Sequence, residues 1–184
     1  IRTLDELKSL NGTEVQNADR WVLSRLSNRA RTIRSAMDEF DLRRMANEVF
    51  FETLADMRWY MRRGGDNSET VAKAVRSWVR MMAPVTPHIA EELWEGLGEK
   101  GFVSIAPFPE EEELPSDPLT EASEYYLQEV MADINEILKV TGIVPKRIII
   151  YTAPQWKSDI LRLGLDLAGS KQLSVPGLTK AVMS

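Results

Sequence analysis

The side chains best placed to do chemistry in this sequence are arginines. On a helical wheel of residues 19–40, Arg25 and Arg29 lie on one flank of the apolar stripe and Arg20, Arg31 and Arg34 on the other. In residues 42–62, Arg44, Arg58 and Arg62 share the face opposite the stripe. Guanidinium groups repeated at whole helical turns can follow a sugar-phosphate backbone with bidentate hydrogen bonds. Lys146 and Arg147 form a further basic pair. The competing reading is an ordinary set of surface arginines paired with Asp38, Glu48, Glu52 or Asp56.

The aromatic residues divide in the same way. Trp21, Phe51 and Trp59 fall off the apolar stripes of their helices, which suits stacking on an unpaired base. Packing is the more economical reading, because a central helix in a bundle is covered on two sides and Trp21 sits near a helix start. No catalytic constellation accompanies them. The sequence has no glycine-rich phosphate loop, no G-x-S-x-G elbow and no H-E-x-x-H pattern. With no cysteine and one histidine, thiol chemistry and multi-histidine metal sites are excluded. That histidine, His88, has no nucleophile or acid to work with and reads as a structural residue at a helix start. The acidic pair Glu91-Glu92 reads as solvated helix surface.

The net charge of −5 argues against indiscriminate binding to nucleic acid, DNA included, but the charge is uneven. Residues 1–80 hold 15 Lys and Arg against 12 Asp and Glu; residues 81–184 hold 8 against 16. Phosphate contacts are therefore expected in the N-terminal half. No apolar run approaches the roughly 20 residues a membrane span needs, and no leader pattern opens the chain, so a cytoplasmic location is the expectation.

Positioning falls to helices. Residues 1–18 form a lead-in segment. From Asp19 to Phe40, apolar residues at Val22, Leu26, Ala30, Ile33, Met37 and Phe40 predict an amphipathic helix. Asp41 caps a second, whose stripe of Leu42, Ala46, Val49, Phe50, Met57, Tyr60 and Met61 ends at Gly64-Gly65. A third starts after Ser68 and ends at Pro84. Thr86-Pro87 places a cap and an N1 proline before a fourth, which closes near Gly98. Residues 101–118, with four prolines, read as a connector. A helix follows over about 119–139, then a short β-branched strand over Arg147–Thr152, a helix over Gln155–Ala168 and a weakly ordered tail over 169–184. A lone strand needs a partner for its backbone groups. The expected architecture is mainly α: an antiparallel helical bundle over 19–118, then a partial α/β piece over 119–184.

Three ordered blocks carry a resemblance. Asp19-Arg-Trp-Val-Leu-Ser-Arg-Leu26 resembles the D-R-W-x-L-S-R-L opening of the helical anticodon-binding bundle of class Ia aminoacyl-tRNA synthetases, the group for leucine, isoleucine and valine. Phe50-Phe51 followed by Asp56-Met-Arg-Trp-Tyr60 resembles the second helix of that bundle. Met81-Met-Ala-Pro-Val-Thr-Pro-His-Ile-Ala-Glu-Glu-Leu-Trp94, with Gly98, Gly101, Val103-Ser104 and Pro107-Phe-Pro109, resembles its P-H-I-A-E-E-L-W signature and trailing loop. Trp21, Trp59, Pro87, His88 and Trp94 are the structural signature within these blocks. Tyr126, Asp133–Ile137 and Pro145–Lys157 are similar to archaeal and eukaryotic leucyl enzymes, whereas isoleucyl and valyl enzymes continue differently.

The resemblance implies a tRNA-docking role, with leucine tRNA as the expected partner. The ATP-binding H-I-G-H and K-M-S-K-S elements and the editing domain of that family are absent, so ATP and Mg would serve a parent enzyme whose catalytic domain lies elsewhere. No cofactor is expected in this chain. Archaeal-type leucyl enzymes are further expected to read the long variable arm of leucine tRNA through a C-terminal extension. An isoleucyl or valyl equivalent, or a helical scaffold with no RNA role, are the competing assignments.

Overall fold

A computed structural model describes residues 10–110, 113–169 and 174. Its helices are α1 (Asn17–Asp38), α2 (Leu42–Asn47), α3 (Thr53–Arg62), α4 (Ser68–Met82), α5 (Pro87–Gly96), α6 (Pro118–Thr141) and α7 (Gln155–Gly169). A π-helical turn, Glu48–Glu52, joins α2 to α3, and a single 3-10 turn spans Val103–Ile105. The chain divides into two compact units between residues 136 and 137. No described helix is long and apolar enough to cross a membrane.

The first unit is a helical bundle built on the spacing of apolar residues. Val22, Leu26, Ala30 and Ile33 of α1 are buried against Val49, Met57 and Tyr60 and against Val71, Ala74, Val75 and Val79 of α4. α1 packs on α2, α3 and α4, and α4 packs on α5. Short connections turn α1 back on the continuous α2–α3 rod and α4 back on α5. Gly64, at φ +83°, ends α3 in the left-handed conformation that glycine adopts freely. Gly65 lies against the Tyr60 ring, leaving no room for a Cβ. α4 is capped by Asn67, whose Oδ1 accepts the Thr70 N–H at 2.8 Å.

Buried polar groups lock α1 to its neighbours. The buried carboxylate of Asp19 accepts the Tyr60 hydroxyl at 2.6 Å and the Gln16 N–H at 2.7 Å. Burial and this carboxylate raise the Tyr60 pKa, so the phenol stays a neutral donor. Asp56 of α3, also buried, accepts from two arginines of α1, Arg25 Nε at 3.2 Å and Arg29 Nε at 2.7 Å. Arg29 also meets Glu48 at 2.7 Å and Glu52 at 3.1 Å. Burial disfavours the Arg29 charge, but Asp56 and Glu48 outweigh it and raise its pKa above the ordinary value.

The start of α6 docks on the same unit. Asp117 Oδ1 accepts the Thr120 N–H at 3.0 Å, with Pro118 at the first helical position. The Thr120 N–H and hydroxyl, helped by Arg20, outweigh desolvation and hold the Asp117 carboxyl below the usual range. Glu121 accepts from Ser24 and Asn28, and buried Glu124 accepts the Trp59 indole at 2.9 Å and Arg63 Nε at 3.0 Å.

Four expectations are corrected. The strand over Arg147–Thr152 does not form, and residues 142–154 lack regular structure; with no strand among the described residues to pair with, the isolated segment has nothing to satisfy its ladder. Phe40 lies outside the α1 stripe: the helix ends at Asp38, and Phe40 is 86% exposed at φ +56°. Leu42, expected inward, is exposed beside it. Thr86 does not cap α5 through its side chain; its hydroxyl reaches back to the Met82 carbonyl at 3.5 Å. Residues 1–9 of the lead-in segment, and the 169–184 tail apart from Gly169 and Ser174, lie outside the described residues.

In the second unit, α7 presents Trp156, Leu161 and Leu165, and the irregular segment before it presents Ile148, Ile149 and Ile150, all exposed.

This packing sets the direction of two stability changes. Asp56→Ala leaves Arg25 and Arg29 without their shared anchor and is expected to cost about 3 kcal/mol or more in urea unfolding. Phe40→Gly removes a left-handed, non-glycine residue with little burial to lose and is expected to raise stability by about 1 kcal/mol in thermal melts.

Candidate nucleic-acid interface

The arginines singled out by sequence fall into two populations. Arg25 and Arg29 point into the carboxylate cluster, and Arg29 is only 12% exposed at its side chain. Arg25 also approaches Glu121 at 3.5 Å. Glu48, Glu52 and Asp56 are thus the partners of Arg29, in agreement with the ion-pair reading. Arg20 is exposed but joins Asp117 and Thr120. Arg34 lies over the Phe108 ring, 5.4 Å from its centroid, with Glu110 at 3.7 Å. Arg31 is exposed on α1.

The outer face of α2–α3 differs. Arg43, Asn47, Phe51, Ala55, Arg58 and Arg62 are all exposed and succeed one another at intervals of four, four, four, three and four residues. That spacing makes one continuous stripe, roughly 28 Å long at ~1.5 Å per residue. It contains no carboxylate. Arg43 and Arg58 have no ion-pair partner among the described residues. Arg62 lies 5.8 Å from the centroid of the Trp59 ring. Arg44 borders the stripe, 43% exposed, with Glu39 at 3.5 Å.

The π-helical turn creates this alignment. Thr53 N–H and Oγ1 both reach the Glu48 carbonyl, five residues back, the hydroxyl at 2.8 Å. The Val49 carbonyl accepts the Trp78 indole N–H of α4 at 2.7 Å. A π turn holds one residue more than an α turn, which rotates the residues of α2 by about 100° relative to those of α3. On an uninterrupted wheel Arg44 aligns with Arg58 and Arg62; with the extra residue, Arg43 takes that line. Sequence reasoning missed Arg43 and Asn47 for this reason, since π turns carry no clear signature in residue type.

The aromatics sort cleanly. Trp21 is 3% exposed and belongs to the core, and Trp94 is buried in α5. Trp59 is half-buried and tied to Glu124. Of Trp21, Phe51 and Trp59, packing fails as an account for Phe51 alone, which is 68% exposed. Pro87 and His88 occupy the exposed first turn of α5. Glu91, read as solvated, instead organises the trailing loop: its carboxylate accepts the Val103 N–H at 2.9 Å, the Ser104 N–H at 3.1 Å and the Ser104 hydroxyl at 2.8 Å. Those three donors outweigh desolvation and lower its pKa. Lys146 and Arg147 are exposed in the second unit.

Comparison with known proteins agrees with the architecture. Residues 19–152 match the family model of the anticodon-binding domain of tRNA ligase. The chain is 42% identical over 170 residues to the leucine–tRNA ligase of Methanothrix thermoacetophila, covering 92% of this chain and 18% of that protein. It is 41% identical to the Methanocaldococcus jannaschii leucine–tRNA ligase (88% and 17% covered) and 42% identical to that of Pyrococcus horikoshii (85% and 17%). The chain therefore spans less than one fifth of the length of these curated relatives. By the extent of that family match and by the relatives it shares it with, the chain belongs to the anticodon-binding domain family of tRNA ligases.

Proposed function

We propose that this chain docks tRNA for a parent leucine–tRNA ligase through the outer face of α2–α3. The observation that carries the reading is the carboxylate-free stripe bearing Arg43, Arg58 and Arg62 on a chain whose net charge is −5. Cations held at helical intervals with no internal anion are available to phosphate, and a packed bundle holds them in register. The remaining sequence-derived candidates, Arg20, Arg31, Arg34 and Arg44, flank this face or lie on α1. Lys146 and Arg147 would add contacts from the second unit.

The reaction itself belongs to the parent: ligation of leucine to its tRNA with ATP and Mg, in the cytoplasm, in domains outside this chain. What this chain contributes is position. Fixing the tRNA body relative to a distant catalytic site converts an encounter into a geometrically defined one. The exposed apolar residues of the second unit, Ile148 to Ile150 with Trp156, Leu161 and Leu165, suit contact with the remaining domains of such a parent.

The test is a binding titration across salt concentration with leucine tRNA, the same tRNA without its long variable arm, and valine tRNA. Weak, salt-dependent binding is expected, and replacing Arg43, Arg58 and Arg62 together with Gln should reduce the log–log salt slope by about 2–3. An unchanged slope removes the stripe from the contact set. Preference for intact leucine tRNA supports arm recognition within this chain; equal binding to all three leaves a general tRNA platform.

A further inference from the structure

Midway along the stripe, Phe51 projects from the π-helical turn with 68% of its surface exposed. It closes one side of a groove of about 590 Å³ whose other walls are Asp41, Arg43, Arg44, Ala46 and Asn47. That volume lies within the range of small-molecule subsites. The chemistry of the walls is specific: one bare aromatic face, two guanidinium groups and one primary amide. Asp41 is the acidic member, and its Oδ1 accepts the Arg44 N–H at 3.0 Å as the cap of α2.

We propose that this groove is a nucleobase-stacking subsite, in which Phe51 takes the face of one unpaired RNA base while Arg43 and Arg44 hold the phosphates on either side of that nucleotide. The inference rests on the tRNA-docking reading and adds to it the kind of RNA element met here, a single-stranded loop or end in place of a duplex. Only an unstacked base can offer its face to a side chain, and aromatic stacking is tolerant of base identity because every base has a π face. The Asn47 amide, one turn before Phe51, is placed to hydrogen-bond a base edge. Charge complementarity favours a nucleotide over an apolar peptide: a peptide side chain would cover Phe51 but leave Arg43 without an anion.

The π turn explains why the phenyl ring is available. In an uninterrupted helix, Phe51 would drift by about 40° from Asn47 and about 80° from Arg43. The widened turn, held open by the Thr53 hydroxyl on the Glu48 carbonyl, keeps Phe51 in line with both.

The test uses the whole chain with three probes at low salt: an oligoadenylate RNA octamer, an abasic octamer of the same length and charge, and leucine tRNA. The wild-type chain is expected to bind the oligoadenylate on the order of tenfold more tightly than the abasic strand. Phe51→Ala should remove that preference, leave abasic binding unchanged and weaken tRNA binding without altering its salt slope, because stacking releases no counterions. Phe51→Trp should restore the preference. Thermal melts matching wild type establish that these exposed-site variants are folded. If Phe51→Ala binds all three probes as wild type does, the stacking subsite is overturned while tRNA docking stands; if the wild-type chain binds none of them, docking falls and the subsite with it.

Discussion

The carboxylate of Asp56 is the interaction on which the arrangement of this bundle turns. It is buried, and it accepts from two arginines one turn apart on α1, Arg25 and Arg29. Charged groups in such a place are stable only when each finds its counterpart, so Glu48, Glu52 and Glu121 are drawn to the same locus. The consequence reaches beyond stability. By collecting Glu48, Glu52 and Asp56 on the side facing α1, the cluster leaves the stripe of Arg43, Arg58 and Arg62 on the opposite side without a carboxylate among them. One helix pair thus carries an internally neutralised face and an outward stripe with no carboxylate, bordered by the capping Asp41.

Much of this architecture was legible in residue spacing. The helices α1, α4 and α5 follow from periodicity, and Pro87 marks the first turn of α5, but Asn67 caps α4 in place of Ser68 and Thr86 gives α5 no side-chain cap. Gly64-Gly65 ends α3 because one glycine takes positive φ and the other touches Tyr60. Three features escaped for physical reasons. The Ile148–Ile150 segment has the β-branched content of a strand, but propensity cannot supply a pairing partner. Phe40 continues the apolar period of α1, yet the turn to α2 has to begin there. The π turn at Glu48–Glu52 is met by Trp78, distant in sequence, whose indole donates to the Val49 carbonyl, and residue types alone do not mark such a turn, so no local wheel could show Arg43 moving into line with Arg58.

The candidate site was legible in kind more than in membership. Arginines on the first two helices were the right residue type in the right region, but a wheel cannot distinguish a guanidinium that faces solvent from one that faces three carboxylates. Arg29 and Arg58 look alike in sequence and opposite in structure. The acidic residues of the P-H-I-A-E-E-L-W segment repeat the lesson, since Glu91 serves the backbone of Val103 and Ser104 and Glu92 remains on the surface. A charged residue in this chain is defined by the direction in which its helix turns it.

The central claim, that the outward cations of α2–α3 are the RNA-contacting set and the inward ones are structural, is tested most directly by arginine footprinting. The chain would be treated with an arginine-selective reagent such as phenylglyoxal, with and without leucine tRNA, and each site quantified by mass spectrometry. The account predicts that Arg43, Arg58 and Arg62 react freely in the unbound chain and are protected by tRNA, while Arg29 is unreactive in both. Protection confined to arginines of another face, with the stripe still reactive in the complex, would contradict it.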